Sequence, residues 1–368
     1  MARLAFLLLA FSLFASASLF HPVSCGCLEN KTVSLFIFGD SFFDVGNKKY
    51  IFNPEHPHES CVPSQYWPYG RFFDNPNGRF SDGSIVPDYI GGFLELEPIP
   101  PFEEVKKVLP QGANFASAGA AVSSETKPEI TLGEQVEKFE KLKSEWVAVA
   151  DRSVILISIG AHDYLSHFRW KNQSIYNDPD SVVQNVVNDI IAKVHKLFQL
   201  GVRRFGFQNV GPLGLLPTVK QEANCTGQEP ILNLLAVKHN EALKKMLEHL
   251  AEKIAHEEKE KGVLRYSILD FFGAIKRRVD NPSPYGLKEA ERACCGVGEY
   301  HAVGCALLDK KGCPAPSGFV FFDGVHNTQH VNEQLAHIFW EADKPVVYPQ
   351  TLKDLVADIK PFDLLEEY

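Results

Sequence analysis

The chain has 368 residues, a net charge of −9, and hydrophobic and charged fractions of 45% and 23%. These are values typical of globular proteins, and they exclude a disordered, collagenous or coiled-coil chain. The sequence shows no basic stripe, so neither a nucleic acid nor an anionic membrane surface is predicted as a partner. The length allows either roughly two to three domains or one large α/β domain.

The first 25 residues are predicted to be a signal peptide. Arg3 supplies a positive charge, residues 4–14 are apolar, and small residues follow at 15–17 and again near Ser24. An apolar run of this length is too short to span a bilayer of about 30 Å. The order of charge, apolar run and small residues favours a secretory signal over a buried N-terminal helix. We therefore expect a secreted, extracellular protein with its mature domain at residues 28–368 and no integral membrane segment after cleavage.

The cysteines and glycosylation sequons agree with secretion. None of the eight cysteines forms a pair with zinc-finger spacing. In an oxidising compartment, a cluster of cysteines near the C-terminus predicts disulfides that staple a loop, with the pairing left open. This cluster consists of Cys294, Cys295, Cys305 and Cys313. Sequons predict a glycoprotein, and they begin at Asn30, Asn172 and Asn224.

Strands and helices alternate along the sequence. Short apolar runs predict buried strands at residues 33–38, 153–159, 203–208 and 264–269. Apolar residues at three- and four-residue steps predict long helices over 183–198 and 231–254. This alternation indicates an α/β fold with a mostly parallel sheet covered on both faces. Residues 47–101, which are rich in Pro, Tyr, Phe and Gly, are interpreted as a structured insertion.

Three predicted strands end in segments that would meet at one edge of the sheet. Ser41 follows the first strand, His162 and Asp163 follow the second, and Gly211 follows the third. Ligands of parallel sheets bind beyond the carboxyl ends of the strands. This edge is therefore the predicted functional site.

Ser41 at this edge is a candidate nucleophile, and Asp323 with His326 is a candidate carboxylate–base pair singled out by its spacing. Ser41 could expose its hydroxyl above the sheet, although taken alone it is better explained as a helix cap. The absence of a G-x-S-x-G motif disfavours an ordinary α/β-hydrolase. Asp323 lies three residues before His326, so one turn could bring a carboxylate to an imidazole, but an isolated D-x-x-H is more often an ordinary polar loop. His330 follows His326 without the glutamate of H-E-x-x-H, so a metal site is not predicted there. Catalysis by a serine and a histidine also needs no metal and no organic cofactor.

Five ordered motifs resemble those of the plant GDSL esterase/lipase family, also called SGNH hydrolases. The motifs are FGDSFFDVGN at 38–47, NGRFSDG at 77–83, GANFASAGA at 112–120, CCGVG at 294–298 and FDGVH at 322–326. The resemblance extends over residues 33–355, and its detail is closest to the secreted, defence-associated branch of the family.

This resemblance implies a single α/β/α three-layer domain with a flavodoxin-like, mostly parallel sheet. It also implies a secreted serine carboxylic-ester hydrolase of the esterase/lipase type, which forms an acyl-enzyme with a small-molecule or lipid ester and takes part in lipid degradation. Ser41 would then be the nucleophile, His326 the base and Asp323 the residue that orients it. The oxyanion hole would consist of the backbone N–H groups of Ser41 and Gly112 and the side chain of His162.

Two positions depart from the family pattern. Residues 160–163 read GAHD, so His162 stands where the family has an oxyanion-binding asparagine, and Asn327 replaces the proline after the catalytic histidine. Imidazole can donate a hydrogen bond to an oxyanion, but its reach and direction differ from those of an amide. A catalytically weak or inactive GDSL-fold binding protein is therefore the alternative, and a secreted carbohydrate esterase is a third hypothesis.

Overall fold

A computed structural model describes residues 33–51, 62–126, 128–169, 174–223, 229–342 and 345–359, and the described residues belong to one compact unit. The predicted signal peptide at 1–25 and the ends of the predicted domain at 28–368 lie outside these ranges and stay predictions. The three sequons, at Asn30, Asn172 and Asn224, also lie outside them.

Strands of the described residues form a large central sheet and a small separate one. The strands are β1 (Ser34–Gly39), β2 (Gly112–Asn114), β3 (Ser153–Ser158), β4 (Arg204–Gln208), β5 (Arg265–Leu269), β6 (Glu289–Ala293), β7 (Phe319–Phe321) and β8 (Val347–Tyr348). The central sheet has the order β2-β1-β3-β4-β5-β8. Its first five strands are parallel, and β8 is antiparallel to β5. The small sheet pairs β6 with β7 in parallel.

Helices cover the central sheet. They are α1 (Val86–Phe93), α2 (Phe102–Val105), α3 (Leu132–Lys141), α4 (Lys143–Trp146), α5 (Ala161–Arg169), α6 (Ser174–Asn177), α7 (Pro179–Gln199), α8 (Pro217–Ala223), α9 (Glu229–Glu257), α10 (Phe271–Asp280), α11 (Gln329–Glu341) and α12 (Leu352–Val356). Helix α7 packs against α3 and α9, and α11 packs against α1 and α12. No described helix has both the length and the apolar character needed to cross a bilayer.

The side chains of neighbouring strands show that the helices lie on both faces of the sheet. Phe36 of β1 makes an edge-to-face contact with Phe139 of α3, with ring centroids 4.9 Å apart. Phe205 of β4 is in register with Phe36 through β3 and therefore points to the same face. Successive residues of a strand point to opposite faces, and a Cβ on the next residue, Gly206, would lie 2.8 Å from Leu352 of α12. The sheet thus lies between two helical layers.

The predicted α/β/α class is confirmed. The four predicted strands correspond to β1, β3, β4 and β5, and the two long predicted helices correspond to α7 and α9. The order 2-1-3-4-5 is that of flavodoxin-like folds, whose topological switch point lies between the first and third strands. The predicted functional edge coincides with this switch point.

Two disulfides staple the loop after β6. Cys294 pairs with Cys313 and Cys295 with Cys305, so the predicted cysteine cluster is confirmed. The backbone N–H of Cys295 donates to the carbonyl of Phe322 over 2.8 Å. The stapled loop is therefore attached to the chain directly after β7, one residue before position 323.

Candidate active site

The end of β1 brings Ser41 to the edge of the sheet beside β3. Gly39 has a φ of 136°, and a Cβ there would overlap the carbonyl oxygen of Ser158. Only glycine therefore allows this close approach. The Gln135 side chain holds Gly39 through two 2.9 Å hydrogen bonds, one to its N–H and one to its carbonyl. The Asp40 N–H donates to Ser158 O over 3.0 Å, and the next residue, Ser41, leaves the sheet at the switch point.

The three residues predicted to act together are joined by hydrogen bonds. Nε2 of His326 lies 2.7 Å from Oγ of Ser41. Nδ1 of the same ring lies 2.8 Å from Oδ2 of Asp323. Oδ1 of Asp323 accepts the backbone N–H groups of Val325 and His326, at 2.8 and 2.7 Å. The four-residue turn thus fixes the carboxylate against the imidazole, as the D-x-x-H spacing predicts.

Tyr69, which no sequence motif indicates as a site residue, also contacts Asp323. Its hydroxyl donates to Oδ2 of Asp323 over 2.7 Å, and its side chain is 2% exposed. Burial and the Asp323 charge hold the pKa of Tyr69 well above its usual value, so the phenol keeps its proton. Burial alone would raise the pKa of Asp323, but the charge and hydrogen bond of His326, with the Tyr69 hydrogen bond, lower it overall. The carboxylate is therefore ionised beside the imidazole.

Replacing Tyr69 with phenylalanine is expected to lower kcat/KM for an ester substrate about tenfold, the usual scale of a lost hydrogen bond to a charged group. Without the phenol, Oδ2 of Asp323 loses one of its hydrogen-bond donors, so the carboxylate is held less firmly against His326. The loss should appear mainly in kcat, because the contact orients the general base and does not bind the substrate. Tyr66→Phe is the matched control, because Tyr66 is 50% exposed. An unchanged kcat/KM in Tyr69→Phe would leave Tyr69 with a packing role only.

The prediction that Gly112 contributes to the oxyanion hole is wrong. Gly112 pairs with Leu35 at the start of β1, whereas Ser41 lies beyond the end of that strand. Its N–H donates to the carbonyl of Leu109 over 2.9 Å. Since β2 runs parallel to β1, the chain reaches the carboxyl edge only after Gly112, and the second glycine of the motif, Gly119, lies there. Gly112 instead allows β2 to approach β1, because a Cβ there would overlap the Leu35 carbonyl.

A cavity of about 420 Å³ lies above Ser41 and His326. Gly119 and His162 both line it, His162 from the first turn of α5. Most of the other lining side chains are apolar, and they include Phe42, Val62, Phe80, Leu165 and Val325. Within the described ranges, no group of three or more His, Cys, Asp or Glu side chains could hold a metal ion.

Three buried carboxyl groups near this edge have raised pKa values. Burial raises the pKa of Asp40 and Asp163 to about 7 and that of Asp44 to about 6. Backbone N–H groups oppose the effect, among them those of Val122 and Ser123, which donate to Asp163. When the chain folds at a pH between about 4 and 7, these carboxyls therefore take up protons, at most about one per group.

We expect these three carboxyls to make the fold more stable in mild acid. Their contribution is fully present below about pH 4, where the unfolded chain is also protonated, and it is lost as pH rises through about 6 to 7. The thermal denaturation midpoint should therefore be higher near pH 5 than near pH 8. Asp40→Asn keeps the acceptor for the Phe42 N–H and should flatten the slope. A slope that the variant leaves unchanged would contradict the contribution of Asp40.

The comparisons with known proteins agree with the fold and the motifs. The model of the GDSL-like lipase/acylhydrolase family matches residues 35–339, and the chain belongs to this family. A GDSL esterase/lipase of Arabidopsis thaliana is 38% identical over 332 residues, which is 88% of each chain. A GDSL lipase of Tanacetum cinerariifolium is 35% identical over 90% of each chain. The inactive GDSL esterase/lipase-like protein 25 of Arabidopsis thaliana is 34% identical over 94% of this chain and 78% of its own length.

Proposed function

We propose that the chain is a secreted serine carboxylic-ester hydrolase that works through an acyl-enzyme. The observation that carries the proposal is the hydrogen-bonded series Ser41–His326–Asp323, with distances of 2.7 and 2.8 Å, at the switch point of the sheet. These distances are within the reach that a nucleophile and its general base need. The relatives named GDSL esterase/lipase and GDSL lipase support an ester as the cleaved bond.

Acylation begins with the Ser41–His326 contact. Oγ of Ser41 attacks the ester carbonyl as Nε2 of His326 takes its proton, while the ionised Asp323 stabilises the imidazolium and keeps the ring oriented. The tetrahedral intermediate then collapses and the bond between the carbonyl carbon and the alcohol oxygen breaks. The alcohol leaves with the proton from Nε2, and the acyl group remains on Ser41.

Deacylation repeats the sequence with water. Nε2 of His326 takes a proton from water as the oxygen attacks the acyl carbon. The bond to Oγ breaks, Ser41 recovers the proton from Nε2, and the carboxylic acid leaves.

We assign the oxyanion hole to the backbone N–H groups of Ser41 and Gly119, with the imidazole of His162 as third donor. Gly119 replaces Gly112 in this role because it lines the cavity with Ser41, and Gly112 does not. Such donors stabilise the charge that develops on the carbonyl oxygen. The apolar lining suits a short acyl chain of a small-molecule or lipid ester.

Secretion and glycosylation belong to this proposal. The order of charge, apolar run and small residues within 1–25 supports export, and the paired cysteines of the stapled loop are compatible with an oxidising compartment. The sequons at Asn30, Asn172 and Asn224 support a glycoprotein.

A catalytically weak or inactive binding protein is the second candidate. His162 occupies the position where the family has its oxyanion asparagine, and relatives named inactive match most of this chain. Ser41, His326 and Asp323 are nevertheless hydrogen-bonded as hydrolysis requires, so we favour the enzyme.

Two measurements on the purified mature protein decide between the candidates. The enzyme should hydrolyse short-chain nitrophenyl esters, and Ser41→Ala should reduce the rate to background. A fluorophosphonate probe should label the parent at Ser41 even if these esters are poor substrates. Labelling of Ser41 without turnover would indicate that the substrate is an ester other than the nitrophenyl esters tested. If the probe does not label the parent and no Ser41-dependent turnover is detected, the binding-protein candidate is supported.

A further inference from the structure

Lys48 lies in the wall of the cavity that contains Ser41. Its Nζ is 3.8 Å from the point where a Cβ on Gly119 would lie. Its side chain is only 14% exposed and forms an ion pair with Glu129, which is 8% exposed. The mechanism proposed above makes no use of this lysine.

The backbone of Lys48 is fixed to the segment that carries Gly119. Oδ2 of the buried Asp44 accepts the N–H of Lys48 at 3.2 Å and that of Ala118 at 2.8 Å. The Asn47 side chain donates to the carbonyl of Ala116 over 2.8 Å. The turn at Lys48 and the chain at Gly119 therefore hold their relative positions without a ligand, which is the preorganisation a binding group needs.

The charge of the cavity wall points to an anionic ligand. Among the residues that the structure describes, the titratable side chains of the wall are Lys48, His162, His326 and Asp40, and Glu129 does not line the cavity. Burial raises the pKa of Asp40 to about 7, so its carboxyl is only partly ionised at neutral pH. Lys48 therefore supplies a cationic group to the wall, although the whole chain has a net charge of −9. The ion pair with Glu129 is by itself weak evidence that Lys48 serves stability.

We propose that Lys48 binds an anionic group of the substrate, so that the preferred esters carry a carboxylate or a similar anion in addition to the ester bond. The ammonium has three N–H donors, and Glu129 does not need all of them. A substrate anion in the cavity would accept a charge-assisted hydrogen bond from Nζ. The position beside Gly119 places this contact near the ester carbonyl. The inference rests on the hydrolase function proposed above.

The test compares charged and neutral esters of the same length. Monoethyl adipate against ethyl hexanoate places the carboxylate on the acyl side. The hexanoyl ester of 4-hydroxybutanoate against butyl hexanoate places it on the alcohol side. Lys48→Met should lower kcat/KM for a charged ester about 10- to 100-fold, mostly through KM, and change the neutral ester less than about threefold. The ester pair whose charged member loses kcat/KM in Lys48→Met shows whether the substrate anion lies on the acyl side or on the alcohol side.

Two further variants separate this contact from other effects of the substitution. Lys49→Met removes the same charge from an exposed neighbour outside the cavity wall and should not discriminate between the esters. The double variant Lys48→Met/Glu129→Gln should retain the loss. If it restores the charged ester to the parent rate, the Lys48→Met effect came from repulsion by Glu129, and the proposal is overturned.

Failure of the inference and failure of the proposed function give different results. If ethyl hexanoate is hydrolysed in a Ser41-dependent way and Lys48→Met affects both esters equally, only the inference fails. If no ester is hydrolysed, calorimetric binding of monoethyl adipate to Ser41→Ala still tests Lys48. Binding that weakens tenfold or more on adding Lys48→Met supports the anion site, and unchanged or undetectable binding overturns it.

Discussion

Replacing Asp323 with asparagine is expected to lower kcat by about four orders of magnitude, as the same change does in a Ser-His-Asp hydrolase. Oδ1 of Asp323 accepts the N–H groups of Val325 and His326, so the amide oxygen of the variant would take that position. The amide nitrogen would then take the place of Oδ2, the nearer of the two oxygens to Nδ1 of His326, at 2.8 Å against 2.9 Å for Oδ1. A donor there favours the tautomer with its proton on Nε2, and that tautomer cannot accept the Ser41 proton.

The measurement is kcat on a short-chain nitrophenyl ester, with circular dichroism to verify the fold. Asp309→Asn is the matched control, since Asp309 also accepts backbone N–H groups within a turn, from Lys311 and Gly312, but does not line the cavity. An Asp323→Asn enzyme within tenfold of the parent would refute the role of Asp323 in setting the tautomer.

The second large effect is expected at His162. If its imidazole is the third oxyanion donor, His162→Ala should lower kcat by about 10²–10³ and change KM little, because the contact strengthens in the transition state. His162→Asn should retain kcat within about tenfold, because an amide can replace the donor. His249→Ala serves as the control for loss of an exposed histidine on α9.

The same variants also test the alternative of a weak enzyme. A large gain of kcat in His162→Asn would show that imidazole is a poor substitute for the amide and would favour the weak-enzyme candidate. If kcat changes in neither variant, position 162 has no catalytic role, and Ser41 and Gly119 alone would remain as oxyanion donors.

The parts of the fold that could be predicted were those with a strong local signal. β1, β3, β4 and β5 are buried strands of five or six residues, and strands covered on both faces read as continuous apolar runs. β2 has three residues and β8 only two, so both are too short to show a hydrophobic pattern in the sequence. Their positions depend on pairing with strands that are distant in the sequence.

The contacts of the candidate site, too, could be predicted from spacing only where the residues lie close together in the sequence. The Asp323–His326 turn follows from a spacing of three residues, whereas the Tyr69 contact joins residues 254 positions apart and has no sequence signal within an aromatic-rich insertion. The error at Gly112 has a geometric cause. The motif GANFASAGA contains two glycines, and only the direction and register of β2 decide that Gly119, not Gly112, reaches the edge with Ser41.

The two hydrogen bonds of His326 join residues at very different separations along the chain. His326 contacts Asp323 at a separation of 3 residues but contacts Ser41 at a separation of 285. The short contact needs only a local turn, whereas the long one must first overcome the entropy of closing a loop that spans most of the protein. During refolding, the acid–base pair can therefore assemble well before the nucleophile reaches it. Recovered hydrolysis should trail the recovery of helical dichroism, which makes turnover a kinetic reporter of this long-range step in folding.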